Sequence, residues 1–185
     1  RFECPVVLLN GIVRNLVAPD QRERSTAKTI VTAVYQHEQH SRKIINSCVI
    51  DLVKSKRCSP ELFNFFLTTI GGYPTPLPPD AIALFYDNFL PIHLVFDFPI
   101  ISDAYIASLQ KFIAKYDPLV NSTVEYVIKH WPCNDQMKQT LFLRELAELV
   151  SMFGSKVSTD VFTLFWKKVA DCVGDVSIDI SEEAL

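Results

Sequence analysis

Four histidines, five cysteines and two glutamates three residues apart are the side chains of this chain best suited to chemistry. His37-Glu38-Gln39-His40 suggests a metal site at first sight. Helical zinc motifs place their histidines four apart, on successive turns, and need a third ligand. Here the spacing is three and no third ligand is evident, so the segment reads as a solvated helix end. Arg42-Lys43, just beyond it, reads equally as partner-facing or solvated. His93 stands within Leu90–Leu94, LPIHL, and His130 beside Trp131; both read as packing positions rather than catalytic ones. Cys4, Cys48, Cys58, Cys133 and Cys172 are odd in number and contain no Cys-x-x-Cys pair, which suggests neither a disulfide framework nor a zinc cluster. Asn121-Ser122-Thr123 matches a glycosylation sequon, expected to be inert in a reducing compartment. No phosphate-cradling glycine loop, Gly-x-Ser-x-Gly elbow or pair of catalytic carboxylates is present, and five glycines leave little material for cofactor loops. The expectation is a protein with no catalytic residue, no cofactor and no metal.

Helices would position these groups. Val6 to Val17 repeats apolar residues at 8, 9, 12, 13 and 16. Asp20 with Glu23 forms a capping-box pattern opening a helix through Ala27, Ile30, Val31 and Val34. Ser41 is expected to cap the next, lined by Ile44, Ile45, Cys48, Val49 and Leu52. Ser59-Pro60-Glu61 combines a cap, a proline at the first helical position and an acid at the positive helix end. That helix is expected to end at Gly71-Gly72 in a left-handed turn, and Pro74, Pro76, Pro78 and Pro79 forbid helix beyond it. Asp80 opens a helix through Ile82, Phe85, Tyr86 and Phe89. Tyr105 to Tyr116 and Val120 to Trp131 form two amphipathic runs joined by a tight Tyr-Asp-Pro turn, an antiparallel hairpin. Asn134 or Asp135 starts a helix through Phe142, Leu146, Leu149, Val150 and Phe153, whose other side carries Glu145 and Glu148. Ser158 caps the last long helix, with Phe162, Phe165, Trp166, Val169 and Val173 on its inner face; Trp131 and Trp166 read as core. The tail Ser181–Leu185 looks like a helix cut short. Nine helices are counted. Leu94 to Ile101 is the one strand-like run, and Pro99 interrupts it.

Hydrophobic residues make up 49% of 185, with 13 Phe, which fits one packed domain. The 18 Lys and Arg against 21 Asp and Glu, net charge -3, argue against a nucleic-acid binder with a broad basic face. No apolar run approaches the about 18 residues of a membrane span. Cysteine usage fits a cytoplasmic or nuclear protein. The chain begins at Arg1, so the natural start and any targeting signal are expected upstream. A hairpin cannot bury its apolar stripe alone, and helices of this length suit either a closed bundle or a HEAT/armadillo-like solenoid of stacked antiparallel hairpins. Pattern alone places the solenoid only slightly ahead.

The wording resembles one family. LPIHL, the following hairpin and the closing Lys129-His130-Trp131-Pro132 are similar to an LLPLH-type segment, hairpin and K-Y-W-P of the B-prime regulatory subunits of protein phosphatase 2A. LFLRELAELVSMF (Leu141 to Phe153) resembles the family's F-L-x-E-L-x-E-I. DQRERSTAKTIVTAVY (Asp20 to Tyr35), GYPTPL (Gly72 to Leu77), Phe165 to Val173 and the final SEEAL match further family segments in order. The resemblance implies an all-α solenoid, with residues 1–185 a single helical-repeat domain from the middle of a longer one. It also implies a non-catalytic subunit that binds the phosphatase scaffold and catalytic subunits and recruits substrates. The alternative is a HEAT-like adaptor that no longer binds phosphatase.

In the family, a groove between neighbouring hairpins takes Leu-x-x-Ile-x-Glu peptides: apolar pockets hold the aliphatic anchors and basic side chains the glutamate. Thr29, Tyr35 and Arg42 stand where the family has Thr, Tyr and Arg. The family's His-Arg pair becomes Thr32-Ala33, two aliphatic positions become Phe65 and Thr69, and a Lys and a His become Pro78 and Ala81. Most of the positive charge is gone, so the standard motif is expected to bind weakly or not at all. Glu145 and Glu148 fall where the family has acids and are candidates to meet the phosphatase core; Ala147 replaces a further acid.

Overall fold

The computed structural model describes residues 5–174, and among these it contains nine α-helices and no strand. They are α1 (Val6–Arg14), α2 (Gln21–His37), α3 (Gln39–Lys54), α4 (Pro60–Gly71), α5 (Pro79–Leu84), α6 (Phe98–Ile113), α7 (Leu119–Lys129), α8 (Gln136–Phe153) and α9 (Thr159–Val173). The even-numbered helices pack side by side in chain order; α1 on α3, α3 on the extension of α5, and α7 on α9 form a second layer behind them. This alternation is that of a stack of helical hairpins rather than of a closed bundle, which would bring the last helices back onto the first. The tail 181–185 and Cys4 lie outside the described residues.

Most boundaries follow from local chemistry. Asp20 accepts from the Arg22 amide, Ser59 from Leu62, Asp135 from Lys138 and Ser158 from Val161, each satisfying an amide that a helix start leaves without a partner. Ser59 also donates to the Leu16 carbonyl at 2.5 Å, so one hydroxyl caps α4 and ties it to the end of α1. Several boundaries differ from expectation; α5 begins at Pro79 and α6 at Phe98, and two predicted end signals act differently. α3 starts at Gln39, with Ser41 inside its first turn and its hydroxyl donating to the Glu38 carboxylate at 2.8 Å. Gly72 has φ −78 rather than a left-handed value. A Cβ there would lie 3.3 Å from the Thr69 carbonyl, so close approach is what favours glycine.

Beyond Leu84, α5 widens to a π turn over Phe85–Phe89 and tightens to a 3-10 turn over Leu90–Leu94. Pro91, with no N–H to give and a ring that crowds the preceding turn, sits at that change of pitch. The strand-like run enters α6 at Phe98, with Pro99 in the first turn where a missing donor costs nothing.

The core is continuous from Leu9 to Phe165 and is rich in aromatic rings at its centre. Phe89 stacks on Tyr105 at 4.8 Å and packs against Phe63, Phe66, Phe85 and Phe112 at 5.2–6.1 Å. The inner face of α9 is not as expected: Val161, Phe165 and Cys172 are buried, but Trp166 is 54% exposed and Val173 is exposed too. Val161 and Phe165 join the main core, Cys172 clusters with Leu143 of α8 and Trp131, and Trp166 falls on the flank away from this stripe. Leu8, Ile30 and Tyr86 are likewise more exposed than their spacing suggests.

Candidate peptide groove and buried ion pair

α2 turns one polar stripe outward, Ser25, Lys28, Thr29, Thr32, Ala33 and Gln36, at successive turns of the helix. With Pro60, Glu61 and Asn64 of α4 it lines an open groove of about 550 Å³. Arg24, beside the groove, holds its one acid. Its Nε donates to Glu61 at 2.8 Å while Nη1 donates to the Ala18 and Pro19 carbonyls at 3.0 and 2.9 Å. The acid of the groove is thereby neutralised, and Lys28 is the one cation among the lining residues.

The five residues expected to form a peptide groove separate into three places. Thr29 lines the groove. Tyr35 and Phe65 lie beneath the surface, edge to face at 5.6 Å, with Phe65 fully buried. Thr69 is buried and donates back to the Phe66 carbonyl at 2.8 Å. Arg42 is engaged at the α2–α3 corner: Nε donates to the Tyr35 carbonyl at 2.7 Å, a second nitrogen to Gln36 at 3.2 Å, and the guanidinium lies over the Tyr35 ring. It holds the carbonyls that end α2, where a cation is also favoured by the helix dipole. Thr32 and Ala33 do face the groove, so the missing pair of basic residues is missing from its wall. Lys28, Gln36 and Asn64 were not anticipated; the polar spacing 25, 28/29, 32/33, 36 was the available signal.

Glu145 is not at the surface, which corrects its assignment as a partner-facing acid. Its side chain is completely buried and accepts from His93 Nε2 at 2.9 and 3.1 Å. His93 Nδ1 lies 2.8 Å from the Leu90 carbonyl and 3.1 Å from the Tyr105 hydroxyl, which donates to the Phe89 carbonyl at 3.2 Å. Burial, then the Glu145 charge, pushes the Tyr105 phenol well above its ordinary pKa, so it remains a neutral donor. The network ties the turn after α5 to α6 and α8; with every member partnered, it is structural. His93 is the packing residue expected, though its contact is an ion pair as well as its rings. Glu148 is half-buried, accepting from Gln110 at 2.8 Å in a smaller groove of about 290 Å³ between α6 and α8. Arg144 on the same wall pairs with Asp103 at 2.7 Å.

Among the described residues no cluster of three His, Cys, Asp or Glu could hold a metal, and no helix is long and apolar enough to cross a membrane. His37 and His40 are exposed on either side of the break between α2 and α3.

Comparison with known proteins agrees with this architecture. The chain is 23% identical over 177 residues to the B' kappa isoform of the 57 kDa serine/threonine protein phosphatase 2A regulatory subunit from Oryza sativa subsp. japonica, covering 92% of this chain and 35% of that protein. It is 24% identical to the 59 kDa B' gamma isoform from Arabidopsis thaliana, covering 90% and 33%. It is 23% identical to the human 56 kDa delta isoform, covering 90% and 29%. The chain thus spans about a third of the length of these relatives. A family model for the protein phosphatase 2A regulatory B subunit (B56 family) matches residues 7–185, from the first turn of α1 onward. Stacked hairpins, a groove between adjacent helices and a match over nearly the whole sequence place this chain in the B56 family of protein phosphatase 2A regulatory B subunits.

Proposed function

We propose that the protein is a non-catalytic regulatory subunit that binds the phosphatase 2A scaffold and catalytic subunits and brings substrates to them. The observation that carries this reading is the family match over residues 7–185. Named relatives from plants and mammals are regulatory subunits of that phosphatase, and the stack of hairpins supplies extended surfaces suited to holding partners. Substrate choice would arise by tethering: a bound substrate experiences a raised local concentration at the catalytic subunit, with the chemistry unchanged. The test is biolayer interferometry of this chain, and of its full-length parent, against a purified scaffold–catalytic dimer. Micromolar or tighter binding supports the reading. Failure of both proteins would overturn it in favour of an adaptor with other partners; failure of the shorter chain alone would put the contacts outside residues 1–185.

The groove between α2 and α4 is the place where a peptide would lie, and its wall argues for weak binding of the Leu-x-x-Ile-x-Glu form. Thr32 and Ala33 offer no charge, Arg24 and Arg42 are committed to other acceptors, and Lys28 remains. A charge-assisted hydrogen bond is worth about 1.5–3 kcal/mol, so the loss of two takes a micromolar interaction to about 0.2 mM or weaker. Titration of a standard motif peptide by calorimetry is expected to give no saturable binding below about 0.1 mM. Tight binding lost on Arg42→Ala would refute this. Of the two acids expected to meet the phosphatase core, Glu148 remains a candidate.

A further inference from the structure

The wall of the α2–α4 groove is polar along its whole length. From Ser25 to Gln36 its residues recur at every turn of α2, over about 16 Å at ~1.5 Å per residue. An extended segment advances about 3.3 Å per residue, so about five residues would lie along it. Ser25, Lys28, Thr32 and Gln36 of α2 and Asn64 of α4 line this space together. None of these five side chains has a hydrogen bond or ion pair with another described residue, whereas the Thr29 hydroxyl is already turned to the Ser25 carbonyl at 3.0 Å.

The apolar members of the wall are Ala33 and Pro60. The larger side chains beneath, Tyr35, Phe65 and Phe66, are buried in the core. An aliphatic anchor laid here would strip hydroxyls and carboxamides of water without replacing the hydrogen bonds. A hydroxyl or amide side chain exchanges that water for a matched partner, and sites built in this way reject apolar analogues. Charge is equally sparse. Glu61 is held by Arg24 at 2.8 Å, which leaves Lys28 without a counter-ion in the groove. A lone ammonium suits one carboxylate. A phosphoryl group carries about two charges and is best matched by guanidinium forks, but Arg24 and Arg42 are bound to other acceptors. A continuous polyanion would find one cation where it needs several.

We propose that this groove binds an extended protein segment bearing Ser, Thr, Asn or Gln at its groove-facing positions and one Asp or Glu at Lys28. The inference rests on the reading of the α2–α4 groove as a peptide site, and it exchanges aliphatic anchors for hydrogen-bonded ones.

The experiment uses the full 185-residue chain, without phosphatase subunits, against arrayed heptapeptides. The first set has one Glu among Ser, Thr, Asn and Gln. Three matched sets carry Gln in place of Glu, phosphoserine in place of Glu, and Leu, Ile or Val in place of the neutral polar residues. The best peptide of each set is then titrated by fluorescence anisotropy at about 0.1 M salt. The first set is expected to bind below about 0.5 mM and about tenfold more tightly than the aliphatic set. Lys28→Gln should weaken the Glu peptide about tenfold and leave the Gln peptide unchanged. Thr32→Val, close in shape, should weaken the first set about fivefold, with melting temperatures of both variants unaltered. Preference for the aliphatic or phosphoserine set would overturn the proposal while keeping a peptide groove, and no binding by any set below about 0.5 mM would remove both. Equal loss of the Glu and Gln peptides in Lys28→Gln, or indifference to Thr32→Val, would also overturn it. Binding of the scaffold–catalytic dimer is read in a separate assay, so either result stands without the other.

Discussion

His93 and Glu145 stand 52 residues apart in sequence and 2.9 Å apart in space, with neither side chain exposed. A buried pair of this kind adds little net stability when whole, because each partner lost its hydration, but removing one partner strands the other. His93→Ala is therefore expected to destabilise the fold by about 3–5 kcal/mol. Glu145→Gln keeps an acceptor for Nε2 and should cost less, about 1–2 kcal/mol. Urea unfolding monitored by circular dichroism distinguishes the two; equal losses would mean that shape, not charge, governs the site. Cysteine reactivity is a second residue-scale outcome. The Cys58 thiol, pushed up to about 12 by burial and Asp97, carries almost no thiolate at pH about 8, whereas Cys133 is exposed. Timed iodoacetamide labelling read by mass spectrometry should modify Cys133 well before Cys58. Raising the pH toward 10 should accelerate Cys58 labelling while its thiolate fraction is still rising.

Helix ends set the element-scale behaviour. Ser59 accepts from the Leu62 amide and donates to the Leu16 carbonyl, both buried, so Ser59→Ala leaves two groups unpartnered. The expected loss is about 2 kcal/mol or more, beyond the ~1 kcal/mol of an ordinary N-cap. At the end of α3 the sign reverses. Lys56→Gly relieves the left-handed strain of a Cβ and should stabilise by up to about 1 kcal/mol, less the extra freedom glycine gives the unfolded chain. A rise in melting temperature would show the strain that the Lys56 Cβ places on the end of α3. A fall in melting temperature would mean that the loop does not hold Lys56 in the left-handed region.

For the whole molecule, a stack of hairpins distributes stability through nearest-neighbour contacts, and the rings around Phe89 join α4, α5 and α6 into one block. Phe89→Ala removes the shared centre of that block and should cost about 3–5 kcal/mol. Hydrogen exchange should then report the loss mainly in α4 to α6, with α9 little changed; uniform loss would indicate a single cooperative unit. The same layout places the α2–α4 groove and the α6–α8 groove on different parts of one scaffold.

The helical class, nearly every helix and most of their caps were legible in the residues, because amphipathic spacing and N-cap chemistry act over three or four positions and need no distant partner. Ser59, Asp135 and Ser158 were readable for that reason. Contacts between distant segments were not. Glu145 has the sequence surroundings of a solvated acid, and only the approach of the turn after α5 to α8 buries it against His93. Trp166 has the spacing of a core residue, and only the rotation of α9 against α7 leaves it exposed. Arg42 could be read as a ligand-binding cation until the α2–α3 corner brought it to the Tyr35 carbonyl. Periodicity alone hardly separated stack from bundle, because the two share it and differ only in which helices become neighbours; the family resemblance pointed to the stack, and only the tertiary structure shows those neighbours.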